Sequence, residues 1–343
     1  VRKLRALLAF ACGLAAALPA ASALDRVKLY EGGQSSGKLV EMSPTEVVIE
    51  VGSTKKKLAV NEIELVQFDG EPNELTQARN ALQAGKLEAA LALLDKLSPA
   101  RTERDEVAQD VEFYRALIAA RLALAGNGSK VDAGKKLLAF EKANRQSYHY
   151  FETCEMLGDL LVALGKNAEA ESFYEKVAGA PWPDYQMRAK VLRGKTLVSR
   201  KQYAEALRQF DEALAVEGSG SAFERERLAA RLGRAAALAG QGESVEAVKL
   251  VEEIIDQADV ENQQLHAEAN LVLGNCFLAA GKKKEALLAF LHVDLLYPRV
   301  SLAHAEALAH LAQLWTELNL PERAAQARAA LKEKYPQSPW AQP

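Results

Sequence analysis

The sequence predicts a mainly α protein in which about six to seven helical hairpins stack as an α–α solenoid, preceded by a small all-β module. Three observations carry this. The chain is rich in Ala and Leu, 49% apolar, 26% charged and only 6% aromatic, a composition that favours helix over sheet. Residues 24–70 read as short β-branched runs separated by turn residues. From residue 71 onward, a helical text with the same punctuation returns every 36 to 41 residues, the mark of a repeat array.

Residues 1–23 are expected to be a signal peptide. Arg2, Lys3 and Arg5 give a basic start, residues 6–18 are an unbroken run of apolar and small residues, and Pro19 interrupts it. Ala21-Ser22-Ala23 then offers a small-residue cleavage site. The apolar run is short for a membrane span. Cys12 lies inside that run rather than after it, so its lipidation stays open. A GTG start codon read literally gives Val1, which points to a bacterial gene. Cleavage after Ala23 leaves 40 basic against 46 acidic residues, a balance that speaks against general nucleic-acid binding, which needs a basic face. No later segment reaches 18 apolar residues, so no membrane span is expected in the mature chain. The expected location is the periplasm or the cell envelope.

The β module follows. Val27 and Leu29 alternate with polar residues, Val47-Val48-Ile49-Glu50-Val51 is β-branched, and Leu58-Ala59-Val60 and Leu65-Val66-Gln67-Phe68 complete the series. Glu31-Gly32-Gly33, Ser43-Pro44-Thr45 and Gly52-Ser53-Thr54 supply the turns. Four or five strands in about 45 residues, with a Val60-Asn61-Glu62-Ile63 step before the last, resemble a small SH3-like or Sm-like barrel. So small a sheet is marginal alone, and packing against the first helices is expected.

After Gly70-Glu71-Pro72 each hairpin is written in one grammar. Leu273-Gly274 is followed by Phe277, Gly281, Ala286, Phe290 and Pro298; Leu311-Ala312 by Trp315, Asn319, Ala324, Leu331 and Pro336. Leu157-Gly158 leads to Leu161, Gly165, Ala170 and Tyr174, and Gly194 to Leu197, Ala206 and Phe210. Worn copies begin at Ala78 and Ala235, and a further helix–turn–helix text surrounds Gly126-Asn127-Gly128. The small residues let paired helices approach closely, and the aromatic fills the space they leave. The Gly closes the first helix in a left-handed cap, and the Pro ends the second.

This grammar resembles the tetratricopeptide repeat, with a small residue at position 8, Ala at 20, an aromatic at 24 and Pro near 32. The resemblance spans about residues 71–338, leaving 339–343 as a tail, and implies a right-handed solenoid with stretched inter-repeat loops. It further implies a concave groove lined by first-helix positions 2, 5, 9, 12 and 13. In the third unit these include Glu152, Glu155 and Asp159; in the fourth, Arg188, Lys195 and Ser199. In the sixth they include Glu268, Leu271, Asn275 and Leu278; in the seventh, Glu306, Gln313, Thr316 and Glu317. The lysine and asparagine set by which some members clamp a terminal carboxylate is absent, since Leu271 stands where a Lys would.

No catalytic, cofactor or metal site is expected. Gly194-Lys195-Thr196 ends like a phosphate-binding loop, but Ala189 stands where that motif needs Gly and the segment falls inside a helix. His304 and His310 are six apart, on different helix faces, whereas a metal pair wants four. His266 and His292 read as packing or surface residues, and Glu224, Glu226, Glu252 and Glu253 as solvated outer faces. Cys154 and Cys276 lie three units apart, beyond disulfide reach; both are expected as free thiols, Cys276 the more reachable. The function these observations favour is a non-catalytic, exported scaffold binding a peptide or protein in the groove. Two other readings stay open: attachment to a surface polymer or glycan through the β module with the solenoid as spacer, and a non-catalytic subunit of an enzyme complex.

Overall fold

A computed structural model describes residues 24–97 and 104–341. The predicted signal peptide, with Cys12, lies outside the described residues. The described residues open with five antiparallel strands, β1 (Asp25–Leu29), β2 (Gln34–Met42), β3 (Glu46–Val51), β4 (Thr54–Ala59) and β5 (Ile63–Gln67). They are ordered β4-β3-β2-β1-β5, and a single 3-10 turn, Val60–Glu62, connects β4 to β5.

Seven helical hairpins follow among the described residues. The first three are α1 (Asn73–Gln83) with α2 (Leu87–Leu94), α3 (Asp105–Ala125) with α4 (Lys130–Ala143), and α5 (Tyr150–Ala163) with α6 (Asn167–Ala178). The fourth and fifth are α7 (Pro183–Ser199) with α8 (Tyr203–Leu214) and α9 (Ser221–Gln241) with α10 (Ser244–Gln257). The last two are α11 (Gln263–Ala279) with α12 (Lys283–Leu296) and α13 (Ser301–Glu317) with α14 (Pro321–Lys334). Each helix packs against its successor along the array, so the apolar face that one hairpin cannot bury alone is covered by its neighbours.

The grammar read in the sequence has a steric meaning. A Cβ built on Gly194 would lie 2.6 Å from the Phe210 ring, and one on Gly274 would lie 2.5 Å from Phe290. Gly158 stands in the same relation to Tyr174. Position 8 is therefore empty because position 24 fills it. The turn between paired helices takes a left-handed residue: Gly165 at φ 74° and Gly281 at φ 71°. Lys201 (φ 60°) and Asn319 (φ 58°) adopt the same conformation without being glycine. They keep the same closing bonds, Gln202 N donating to Leu197 O at 2.9 Å and Leu320 N to Trp315 O at 2.8 Å.

The β module is fused to the solenoid rather than tethered to it. Val27, Ile49, Val66 and Phe68 share one core with Leu75, Leu94, Val111 and Phe113 of the first helices. Asp25, only 3% exposed, is the polar clasp. Its carboxylate accepts from Leu39 N at 2.7 Å, Asp69 N at 2.9 Å and Arg104 Nη1 at 2.7 Å. One side chain thus ties β1 to β2, to the turn after β5 and to the entry of α3.

The array also meets itself. Ala125 at the end of α3 belongs to the core of the last hairpins, with Ala305, Leu308 and Ala312, and α13 packs against α3. Gln337 N donates to Gly126 O at 2.7 Å. The second and last hairpins therefore meet, and the inner face of the stack is concave.

Candidate functional site

A cavity of about 540 Å³ lies on that inner face, within the size range of sites for small molecules and short peptides. Its wall comes from the first helices of five successive hairpins, α3, α5, α7, α9 and α11. Its roof is the β module: Tyr30 from the β1–β2 turn, Val60 and Asn61 from the 3-10 turn, and Ile63 and Glu64 from β5. Two contacts fix the roof far along the chain. Glu31 Oε1 accepts from Ser221 N at 2.8 Å, and Asn61 Nδ2 donates to Asp184 Oδ1 at 3.2 Å. The Arg225 guanidinium lies 4.1 Å over the Tyr30 ring, a cation–π contact that pins the turn to α9.

Below the roof the polar groups form two connected sets. In the first, Arg79 is buried between Glu71 and Asp110, and Asp110 also accepts from Tyr148 Oη at 3.2 Å. His149 Nε2 lies 3.1 Å from Asp110 Oδ1, while its Nδ1 faces Glu152 Oε2 at 3.8 Å. Its ring stacks on Phe113 at 3.6 Å. Burial opposes the charge on His149, but the two flanking carboxylates outweigh it and raise its pKa above the ordinary value. His149 thereby links a buried ion pair to the cavity wall.

The second set crosses the cavity. Arg188 lies 2.8 Å from Glu226 and 3.5 Å from Glu155, with its guanidinium 4.5 Å over the Tyr185 ring. Arg121 reaches Glu152 at 3.6 Å, and Lys195 reaches Glu268 at 4.0 Å. Asp159, one turn beyond Glu155 on α5, accepts from Tyr174 Oη at 2.9 Å. Burial pushes the Glu155 carboxyl up to about 7; Arg188 pulls it down, and Asp159, Glu226 and Glu152 push it up again. Arg188 is held charged, well above its ordinary range, because both its carboxylates outweigh burial.

Of the residues assigned from the repeat register, Glu152, Glu155, Arg188, Lys195 and Glu268 line the cavity, and Asp159 stands beside them. The others do not line it. Ser199 Oγ donates to Thr196 O at 2.7 Å and closes the end of α7. Leu271 and Leu278 pack against the core of the last hairpins, and Asn275 Nδ2 donates to Glu306 Oε1 at 3.1 Å. Gln313 pairs with Glu317, Thr316 accepts from Arg328, and Glu317 meets Lys283 at 2.9 Å.

Two sequence expectations need correction. Glu226 is not a solvated outer residue; it is 8% exposed and clamped by Arg188. Cys276 is not reachable: both it and Cys154 are free but fully buried, and burial pushes the Cys276 thiol up to about 12. His304 is a core residue, bonded to Tyr335 Oη and to Asp294 Oδ1, each at 2.9 Å. Among the described residues no group of three or more His, Cys, Asp or Glu side chains could hold a metal ion. No described helix is long and apolar enough to cross a membrane.

Comparison with known proteins bears on the fold. A family model described as tetratricopeptide repeat matches residues 191–262, which run from within α7 to the loop before α11. Among solved structures, the Rap protein complexed with competence and sporulation factor is similar in fold at a TM-score of 0.53. The two share 15% identity, over 78% of this chain and 76% of that one. A tetratricopeptide repeat protein from Parabacteroides merdae aligns over 76% of this chain and 91% of its own at 16% identity, with a TM-score of 0.47. Comparison with curated proteins gives no match. Solenoids of this kind present extended concave surfaces suited to binding other proteins. The chain thus resembles the tetratricopeptide repeat over residues 191–262, and the hairpins on either side continue the same helical stacking.

Proposed function

We propose that this protein is a non-catalytic scaffold that binds an extended segment of a partner protein in the roofed cavity. The observation that carries this is the joint construction of one cavity by five first helices and the β module. Such a space admits a strand of peptide, whereas a folded domain could engage only the outside. The β module then acts as a roof for the site, and its fused core speaks against a solenoid that merely spaces it from a surface. Its strand order and the 3-10 turn before β5 support reading it as a small SH3-like or Sm-like barrel. The basic start, apolar run and Ala21-Ser22-Ala23 support export to the periplasm or envelope, which N-terminal sequencing of the mature protein from the native host tests.

The binding reading is tested with a photo-crosslinking amino acid. Placed at Met156 on the cavity wall, it is expected to capture peptide in the native host. Placed at Val245, which is 83% exposed on α10, it is expected to capture none of the same peptides. Capture at Val245 alone would overturn the assignment.

A further inference from the structure

The outer face of the solenoid, made by the second helix of each hairpin, has one apolar region. Seven large apolar side chains among the described residues are more than half exposed, and four of them are Leu288, Leu295, Leu296 and Leu302. Three lie on α12 and the fourth at the start of α13. At about 100° per residue Leu288 and Leu295 are about 20° apart and form one stripe. Leu296 and the exposed His292 lie beside it. An apolar stripe held in water contributes nothing to a monomer, and a contiguous one marks an interface.

The outer helices on either side of α12 carry opposite charge. On α10, Glu246, Glu252, Glu253 and Asp256 are exposed against one cation, Lys249. On α14, Arg323, Arg328, Lys332 and Lys334 are exposed against Glu322 and Glu333. Arg231 and Arg234 of α9 hold Glu253 and Glu246, at 3.5 and 3.4 Å. Glu252 and Asp256 have no salt bridge to any described residue, and neither have Arg323, Lys332 and Lys334. Arg328 donates to Thr316. On α12 itself Lys284 and Glu285 are exposed ahead of the stripe. They flank it on opposite sides, about 40° one way and about 60° the other from Leu288.

We infer that this face docks on a second copy of the chain, about a two-fold axis that runs along α12. Such an axis sets the leucine stripe against itself and exchanges left for right. The acidic α10 of one copy then faces the basic α14 of the other, twice over, and Lys284 of each copy faces Glu285 of the other. A two-fold axis across the helices would instead set α10 against α10 and α14 against α14, like charge on like. The three helices have 14 residues each. At about 21 Å long and about 10 Å apart they cover about 600 Å² per copy, the lower end of specific interfaces. The row is convex, so α12 makes the closest approach and the long charged side chains beside it span the wider gaps. The cavity wall is built from first helices, so this contact leaves it free and is independent of what it binds.

The test is sedimentation equilibrium of the mature chain. A dimer half-dissociated at about 1–100 μM is expected of an interface this size. Leu288→Gln with Leu295→Gln should raise the dissociation constant about tenfold or more, with unchanged circular dichroism because both side chains are exposed. Glu252→Lys with Asp256→Lys should weaken the dimer about tenfold, and adding Lys332→Glu with Lys334→Glu to the same chain should restore it. Within one chain α12 separates α10 from α14, so only contact between copies gives that rescue. A chain that sediments as a monomer throughout the range would overturn the proposal, as would a dimer indifferent to the leucine pair. A dimer that needs the leucines but is not restored by the charge exchange would overturn the two-fold along α12.

Discussion

At the scale of single residues the fold is a set of matched vacancies and fillings. Gly194 exists because Phe210 occupies the space its side chain would need, so Gly194→Ala is expected to destabilise by about 1–3 kcal/mol through overpacking, read as a lower urea midpoint. Lys201 presents the converse case. It holds φ 60° where other hairpins use Gly, a conformation that strains an L-residue by about 1–2 kcal/mol. Lys201→Gly should therefore raise the unfolding midpoint, by about 1 kcal/mol once the greater freedom of unfolded glycine is set against the relief. Gly194 and Phe210 were legible in the sequence, because steric complementarity inside a hairpin is local and recurs with the repeat; Lys201 was not, because the left-handed turn was read only from Gly. The cavity tyrosines were not. Tyr30, Tyr114 and Tyr185 are separated by more than one repeat, carry no common register and meet only because the β turn folds over the helices.

At the scale of elements, the junction between the sheet and α3 rests on Asp25. Burial works against its charge, but Arg104 and the N–H groups of Asp69 and Leu39 outweigh it and hold its pKa below the ordinary value of 3.8. A carboxylate with a depressed folded pKa contributes stability above its unfolded pKa and loses it as pH falls through the folded value. Asp25→Ala strands two backbone N–H groups and is expected to cost about 1–3 kcal/mol near neutral pH. The gap between wild type and mutant in urea midpoint should narrow as pH drops below 4; a gap that stays constant to pH 2 would show that the charge contributes nothing. The elements themselves could be read from turn residues and apolar periodicity. The fusion of module and solenoid could be expected only from the small size of the sheet. The clamp of Glu226 by Arg188 lay in the most worn part of the pattern, where no groove position had been assigned.

At the scale of the molecule, contact between the second and last hairpins makes the inner face a partly enclosed cavity. Gly126 stands at that seam with φ 94°, and a Cβ there would collide with the backbone of Ser338. Gly165 has a similar φ of 74° but open space around it. Gly165→Ala should cost only the backbone strain, about 1–2 kcal/mol, and Gly126→Ala distinctly more. Equal losses would mean that the seam adds nothing to stability. Closure could not be read from the sequence, since it depends on the summed small rotations between seven hairpins rather than on any motif. The account as a whole turns on whether peptide occupies the roofed cavity. Hydrogen exchange of the mature protein with and without a peptide captured by crosslinking at Met156 tests this most directly. Protection is predicted in the β1–β2 turn together with α5 and α7; protection confined to α10, α12 and α14, with the turn unchanged, would contradict it.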